Sequence, residues 1–166
     1  MAKKKNSNNS VSLIRKGIAL VASIVTFIFF FLEMIALKRK YINVIKDEAE
    51  VETLGVKFSD FLFSEDYEAV RETFGTATTI MWIVFILVIA SIALTSLAFL
   101  MKKGAMFSKL GAGVLVLAMV LMFVINFDTV ESIIKVTTWY SNITALYFVA
   151  LALSAGGLAS VVTLKK

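Results

Sequence analysis

The sequence predicts an all-α integral membrane protein, folded as an antiparallel four-helix transmembrane bundle. Of its 166 residues, 59% are hydrophobic, which is well above the roughly 45 to 50% usual in soluble domains. Four apolar segments have about the 20 residues that a transmembrane helix needs. They occupy most of the chain, so we expect a single domain over residues 1–166. Its helices are expected at about 17–37, 79–101, 106–127 and 143–164, with an outer first loop at 38–78.

Small and aromatic residues divide between the two halves of each predicted helix. Gly, Ala, Ser and Thr fill half of the positions on the side that we assign to the inside, and far fewer on the outer side. Aromatic residues show the reverse distribution. The chain changes direction after each helix, yet the small residues stay on one side, which supports an up-down-up-down order. Small side chains let helix backbones approach closely in lipid, so we expect a bundle that is narrow at its inner end.

The distribution of cations predicts that both termini are inside. In this N-in/C-in arrangement the inner side carries ten Lys and Arg residues and the outer side seven, the direction that the positive-inside rule favours. Lys38, Arg39 and Lys40 lie on the outer side and run against the rule. The first apolar segment is longer than that of a secretory signal peptide, so it is expected to be an uncleaved anchor.

Glu33 is the one carboxylate inside the first predicted helix. It precedes the predicted helix end by four residues, which places it about 6 Å below the outer boundary at 1.5 Å per residue. Ionisable groups within a membrane are costly and often functional. Either the carboxylate reaches the headgroups or Lys38, or it joins a polar cluster between helices. The candidate neighbours in such a cluster are Thr79, Asn126, Lys135, Asn142 and Tyr147.

The outer first loop turns acidic after its basic start. Residues 47–72 carry nine carboxylates and two cations. Further along, the spacing of Phe58, Leu62, Ala69, Val70 and Phe74 predicts an amphipathic helix, opened by Ser59 or Ser64 and closed at Gly75. This helix either lies on the outer face of the bundle or forms a docking surface for another protein. The candidate interaction residues are Glu33, Lys38, Arg39, Lys40, Phe58, Leu62 and Asp66.

The last two predicted features are a short interfacial helix and a line of small residues. Apolar residues at Val130, Ile133, Ile134 and Val136 predict the short helix in the second outer loop. In the last transmembrane helix Ala152, Gly156 and Ser160 recur every four residues on one face. This pattern is typical of close helix packing. We expect it to pack within the bundle, with a self-dimerisation face as the alternative.

The order of the loops resembles the tetraspan plan of claudins: one long outer loop, a tight inner turn and a shorter outer loop. The resemblance concerns topology only. Claudins carry a Trp-containing signature and a cysteine pair in the first outer loop, and residues 38–78 contain neither Trp nor Cys. The resemblance therefore implies four spans, and it implies no site residue and no barrier or pore function.

Composition also limits the chemistry of the chain. Without Cys or His, the chain has no disulfide, no thiolate or imidazole metal ligand and no thiol nucleophile. We expect no catalytic residue, no cofactor, no metal and no nucleic-acid partner.

The expected function is that of a non-catalytic accessory, scaffold or interaction subunit of a larger membrane complex. Its expected partners are membrane lipids and another membrane protein or a second copy of itself. A small oligomeric channel or transporter that uses Glu33 is the alternative. Richness in Ile, Phe, Lys and Asn is typical of a low-GC bacterium, so the expected location is the bacterial plasma membrane, crossed several times.

Overall fold

The computed structural model describes the backbone of residues 2–32, 35–43, 48–101, 104–125, 129–131 and 135–164, and the side chains of residues 10–32, 57–101, 104–125 and 144–164. The helices in these ranges are α1 Ala2–Phe29, α2 Phe58–Phe63, α3 Glu68–Thr73, α4 Gly75–Leu100, α5 Gly104–Leu121 and α6 Ala145–Val162. Single 3₁₀ turns cover Glu65–Tyr67 and Met122–Val124. The strands are β1 Ile35–Asn43, β2 Glu48–Val56, β3 Thr129–Glu131 and β4 Lys135–Ile143.

Four of the helical segments are long and apolar enough to cross a membrane. They are Ser10–Phe29, Gly75–Leu100, Gly104–Val124 and Ala145–Val162. These segments indicate a multi-pass membrane protein. The last three lie within a few residues of the predicted helices.

The first span differs from its predicted bounds because α1 ends early. The apolar run was expected to stay helical to residue 37, but α1 ends at Phe29 and β1 begins at Ile35. Backbone hydrogen bonds from Phe30, Phe31 and Leu32 reach back three residues instead of four. Such tighter bonds satisfy carbonyls at a helix end and close it.

The four long helices pack as a ring. The most extensive contacts join α4 to α5, and further contacts join α1 to α6, α5 to α6, and α1 to α4. A connection of three residues between α4 and α5 makes these two antiparallel neighbours. We call the end where α1 and α5 end and α4 and α6 begin the sheet end, because α1, α5 and α6 connect to strands there. The opposite end is the turn end.

The two longer connections contribute a four-stranded antiparallel sheet of order β2-β1-β4-β3. Strands β1 and β2 come from the first connection, and β3 and β4 come from the second. The central pair β1 and β4 therefore joins the two connections, with Arg39 in register with Trp139.

The part of the chain with described side chains is all-helical, as predicted, and the strands occur only in these two connections. Of the predicted interfacial helix, Val130 and Val136 lie in strands instead of a helix, and Ile133 and Ile134 lie outside the described residues. Val130 and Val136 are β-branched, and such residues pack well on a pleated surface.

The buried core changes in character along the bundle. At the sheet end it contains Phe30, Phe58, Phe61, Met119 and Tyr147, each at most 1% exposed. At the turn end the second cluster of buried residues consists of Ala19, Ala112, Val161 and Leu164. The predicted segregation of small and aromatic residues is therefore found in the packed interior.

Candidate interaction surface

Residues 57–74, which we call the acidic cap, fold as two short helices that cover part of the sheet end. Phe58, Phe61 and Leu62 of α2 are buried. The Phe58 ring lies 4.4 Å from the Phe30 ring, centre to centre, and the Ser59 amide donates to the Phe30 carbonyl over 3.0 Å. Burial of these apolar side chains and the backbone bond to α1 hold the acidic cap against the bundle.

Arg71 of α3 ties the two short helices together. Its Nη1 donates to the carbonyl oxygens of Phe61 and Ser64, both over 2.7 Å. These carbonyls stand at the end of α2, where a helix leaves backbone acceptors without intrahelical partners. A charged donor on such carbonyls makes a stronger hydrogen bond than a neutral one. Arg71 therefore fixes the angle between α2 and α3.

The predicted start of the amphipathic segment is confirmed in part. Ser64 Oγ accepts a hydrogen bond from the Asp66 amide over 3.3 Å, so Ser64 caps the 3₁₀ turn that leads into α3. The segment ends at the predicted place, because α3 ends at Thr73 with Phe74 as its C-terminal cap, and Gly75 then begins α4. The expected single helix is thus divided at Ser64.

The exposed side of the acidic cap is strongly negative. Glu65, Asp66, Glu68 and Glu72 are exposed, and residues 57–74 carry five carboxylates against two cations. Lys57 lies 4.0 Å from Asp60, with about half of each side chain exposed, and such a surface pair contributes little to stability. Arg71 is engaged with backbone carbonyls. The four exposed carboxylates therefore present a negative surface to any partner.

The negative charge of the acidic cap also affects the pKa of Tyr67. Burial, and then the negative charges of Asp60 and Asp66, raise the pKa of its phenol. All three influences disfavour the phenolate.

An aromatic ledge adjoins the acidic cap on α4. The exposed ring of Phe63 lies 5.3 Å from Trp82 and 5.4 Å from Phe85, both in edge-to-face geometry. Trp82 is itself partly exposed. Trp is enriched at membrane–water interfaces, so this ledge is consistent with a sheet end near the headgroups.

The basic candidates of the first loop lie on the sheet. Lys38, Arg39 and Lys40 occupy the middle of β1, and their side chains are outside the described set. In backbone register Arg39 stands opposite Glu52. Glu33 lies outside the described residues. The helix that was expected to contain it ends at Phe29.

Phe58 and Leu62 do not serve as docking residues in this fold. Both are buried within the chain, at 1% and 3% exposure, so neither is available to another protein in this fold. Asp66 is exposed and receives a hydrogen bond from the Ser64 hydroxyl over 3.2 Å. Of the three loop candidates with described side chains, only Asp66 can therefore meet a partner.

The small residues of α6 are placed differently from one another. Ala152 and Gly156 are exposed, and a Cβ on Gly156 would meet nothing within 4 Å. Ser160 donates to the Arg15 carbonyl over 3.2 Å and to the Gly157 carbonyl over 2.6 Å. The close approach to α1 occurs at Gly157, where a Cβ would lie 3.1 Å from that of Ala22. The packing predicted for Gly156 therefore belongs to the next residue.

A buried hydroxyl network in the bundle was not predicted. The hydroxyls of Ser23 on α1 and Ser91 on α4 lie 2.8 Å apart, and Ser91 also donates to the Gly111 carbonyl of α5 over 2.8 Å. Thr95 donates to the Ser91 carbonyl over 2.8 Å. Interhelical bonds of this kind link membrane helices. The available signal in the sequence is the set of Ser and Thr residues within the apolar segments.

Among the residues that the structure describes, no group of three or more His, Cys, Asp or Glu side chains is arranged to hold a metal ion. The exposed carboxylates of the acidic cap and the adjoining aromatic ledge are groups that can bind another molecule through charge and through apolar contact. A comparison with known protein families finds none that matches this chain, and a comparison with curated proteins finds no match either.

Proposed function

We propose that this protein is a non-catalytic accessory or interaction subunit of a larger membrane complex, and that the acidic cap is the surface that meets its partner. The observation that carries the proposal is the set of four exposed carboxylates on the 3₁₀ turn and α3, next to the buried aromatic residues of α2. Glu65, Asp66, Glu68 and Glu72 need not reorganise to face a partner, because Arg71 and the buried Phe58 and Phe61 already fix their backbone. Preorganisation of this kind lowers the entropic cost of binding.

The partner that suits this surface has a basic segment at the membrane surface. Complementary charge raises association rates and rejects partners of the wrong sign. The neighbouring Phe63 and Trp82 add an apolar edge with which such a partner would make contact. Aromatic anchors beside a charged rim are typical of energetically important interface positions.

The proposal also includes the location and direction of the chain. We place it in a bacterial plasma membrane with the termini inside and the acidic cap outside, supported by the distribution of cations. Since the chain has no Cys, single cysteines report accessibility without background. A cysteine at Glu68 should react with an impermeant thiol reagent in intact cells, and one at Lys109 should not.

The test of function is purification in mild detergent from the cells that make the protein, with identification of the chains that co-purify. In the neutralised variant, Glu65→Gln, Asp66→Asn, Glu68→Gln and Glu72→Gln remove the negative charge while keeping similar shape. The variant should lose the partner, and raised salt should weaken the wild-type complex. Lys109→Gln on α5 is the charge-change control and should retain the partner.

Two results would contradict the proposal. One is an unchanged set of co-purifying chains in the neutralised variant. The other is ion conductance by the purified protein alone that Glu33→Gln alters, because an accessory subunit has no reason to conduct by itself. That second result would favour the channel or transporter.

A further inference from the structure

A groove runs along the outside of the bundle between α1 and α6. Ile18 and Val21 line it from α1 and Leu153 lines it from α6, and all three are exposed. Gly17 and Gly156 also line it, and a Cβ on either would meet nothing within 4 Å. The groove has a volume of about 880 Å³ and is almost wholly apolar. In a membrane it faces lipid.

The groove is about as long as half of the hydrocarbon core is thick. Its lining on α6 runs from Val149 to Ser160, a rise of about 16 Å at 1.5 Å per residue. Half of a hydrocarbon core that is about 30 Å thick is about 15 Å. A partner helix that spans the whole core would be about twice as long as the groove, whereas one acyl chain fills about half of the core.

A cation stands at the turn end of the groove. Arg15 Nη1 donates to the Thr163 hydroxyl over 2.8 Å, bridging α1 to α6. Its neighbour Ile14 and the nearby Ser160 both line the groove. A guanidinium has five N–H donors, and the bond to Thr163 uses one of them. Guanidinium groups bind phosphate oxygens well.

We propose that this groove binds one acyl chain of an anionic phospholipid from the leaflet at the turn end, with the lipid phosphate on Arg15. The apolar walls accept the chain, and the charge of Arg15 selects the headgroup. Anionic lipids are attracted to Arg and Lys near a membrane surface. This site is separate from the acidic cap and does not depend on the proposed function.

The test is native mass spectrometry of the protein reconstituted in vesicles of equal parts phosphatidylglycerol and phosphatidylcholine and then extracted in mild detergent. The wild type should retain a single phospholipid per chain, with phosphatidylglycerol preferred. Arg15→Gln should keep the lipid but lower that preference by roughly two- to fivefold, the range for one partly exposed ion pair.

Filling the groove should abolish retention. Gly156→Leu adds a side chain where a Cβ meets nothing within 4 Å, so the fold should persist while the lipid is lost. Ala152→Leu, at another exposed position of the groove, repeats the test if Gly156→Leu does not fold. Gly113→Leu is the control, because its Cβ also meets nothing within 4 Å and it does not line the groove.

Three outcomes would overturn the proposal. They are a wild type that retains no lipid, a folded groove-filling variant that retains as much lipid as the Gly113→Leu control, and a headgroup preference that Arg15→Gln leaves unchanged. If the groove-filling variants instead convert a dimer to a monomer with lipid retained, the groove belongs to a second copy of the chain.

Discussion

The two ends of the bundle are held together by different means. At the sheet end large rings fill the space between helices: Phe30 lies against Phe58 and Phe85, and Tyr147 donates to the Met119 carbonyl of α5. At the turn end backbones touch. A Cβ on Gly111 of α5 would lie 3.0 Å from the Ser91 carbonyl oxygen of α4.

This difference shows why the small and aromatic residues are segregated. Lipid supplies no hydrophobic drive for helices to associate, so contact must come from packing and hydrogen bonds. Small residues provide contact by bringing backbones together, and hydroxyls can then reach across, as Ser23 and Ser91 do. Rings provide it by filling a wider gap, where the acidic cap also contributes Phe58 and Phe61. Substitutions at the two ends should therefore destabilise the bundle for opposite reasons. At the sheet end they leave a cavity, and at the turn end they cause overpacking.

The largest effect is expected at Phe30. Phe30→Ala removes a fully buried ring that contacts α4 and the acidic cap, and such truncations cost about 3 to 5 kcal/mol of unfolding free energy. Phe31→Ala is the matched control, because Phe31 is 47% exposed. Unfolding of both variants in detergent, followed by circular dichroism, measures the difference. Equal losses would mean that Phe30 does not fill an interhelical gap.

The next effect is expected at Gly111. A Cβ there would lie 2.7 Å from Thr95 Cγ2 and 3.0 Å from two backbone atoms of α4, so Gly111→Ala should cost about 1 to 3 kcal/mol through overpacking. Gly113→Ala has open space around its Cβ and should be neutral or slightly stabilising, because Ala is the better helix former. The melting temperatures of Gly111→Ala and Gly113→Ala measure this difference in stability. A tolerated Gly111→Ala would contradict backbone contact at the turn end.

A smaller effect separates two buried serines. Ser91→Ala removes bonds to Ser23 and Gly111 and should cost about 0.6 to 1.7 kcal/mol, the range for interhelical bonds in membranes. Ser108 Oγ is buried without a hydrogen-bond partner among the described residues. Ser108→Ala should therefore leave stability unchanged or raise it, since an unsatisfied polar group is removed. Chemical unfolding of both variants provides the comparison, and a larger loss in Ser108→Ala would reverse our assignment.

The smallest effect concerns pH at the acidic cap. The raised pKa of Tyr67 means that the folded state holds the phenol proton more tightly than the unfolded state, whose value is near 10.0. The stabilisation that the protonated phenol contributes is complete below about pH 10. It is lost as the pH rises through the pKa of Tyr67 in the folded state. Tyr67→Phe should lack this loss. Melting curves from pH 8 to 11 should diverge only at the alkaline end, and parallel curves for the two proteins would show that Tyr67 is not buried beside Asp60 and Asp66.

The four spans follow from hydropathy because a membrane helix requires a long apolar run. The end of α1 could not be found in that way, since apolar residues continue past Phe29 to Leu37 and composition does not distinguish a helix from a strand there. Strand β2 did carry a signal: Glu48, Glu50 and Glu52 alternate with Ala49 and Val51, the period of a strand. The spacing of these acidic residues, and not their charge, is what indicates the strand.

The candidate surface was predictable only in outline. The spacing of Phe58 and Leu62 correctly indicates an apolar face, but whether that face meets the bundle or a partner depends on tertiary packing. The choice of Gly157 over Gly156 depends on the rotation of α6 about its own axis, which neighbouring helices set. The role of Arg71 depends on carbonyls that become available only once α2 ends at Phe63. None of these is a property of local sequence.

The most direct test of the account is a pair of disulfides at the turn end, since the natural chain has no Cys. Ala22→Cys with Gly157→Cys should form an intramolecular disulfide on mild oxidation. A Cβ at Gly157 lies 3.1 Å from that of Ala22, so a separation of a few tenths of an ångström brings the pair into the range of roughly 3.5 to 4.5 Å that disulfides need. Ala22→Cys with Gly156→Cys should form it much more slowly, because a Cβ at Gly156 meets nothing within 4 Å and so lies beyond the mean disulfide spacing of about 3.8 Å. The shift in mobility of the oxidised chain on a non-reducing gel measures both. Closure at Gly156 as fast as at Gly157, or no closure at Gly157, would contradict a bundle whose helix backbones meet at the turn end.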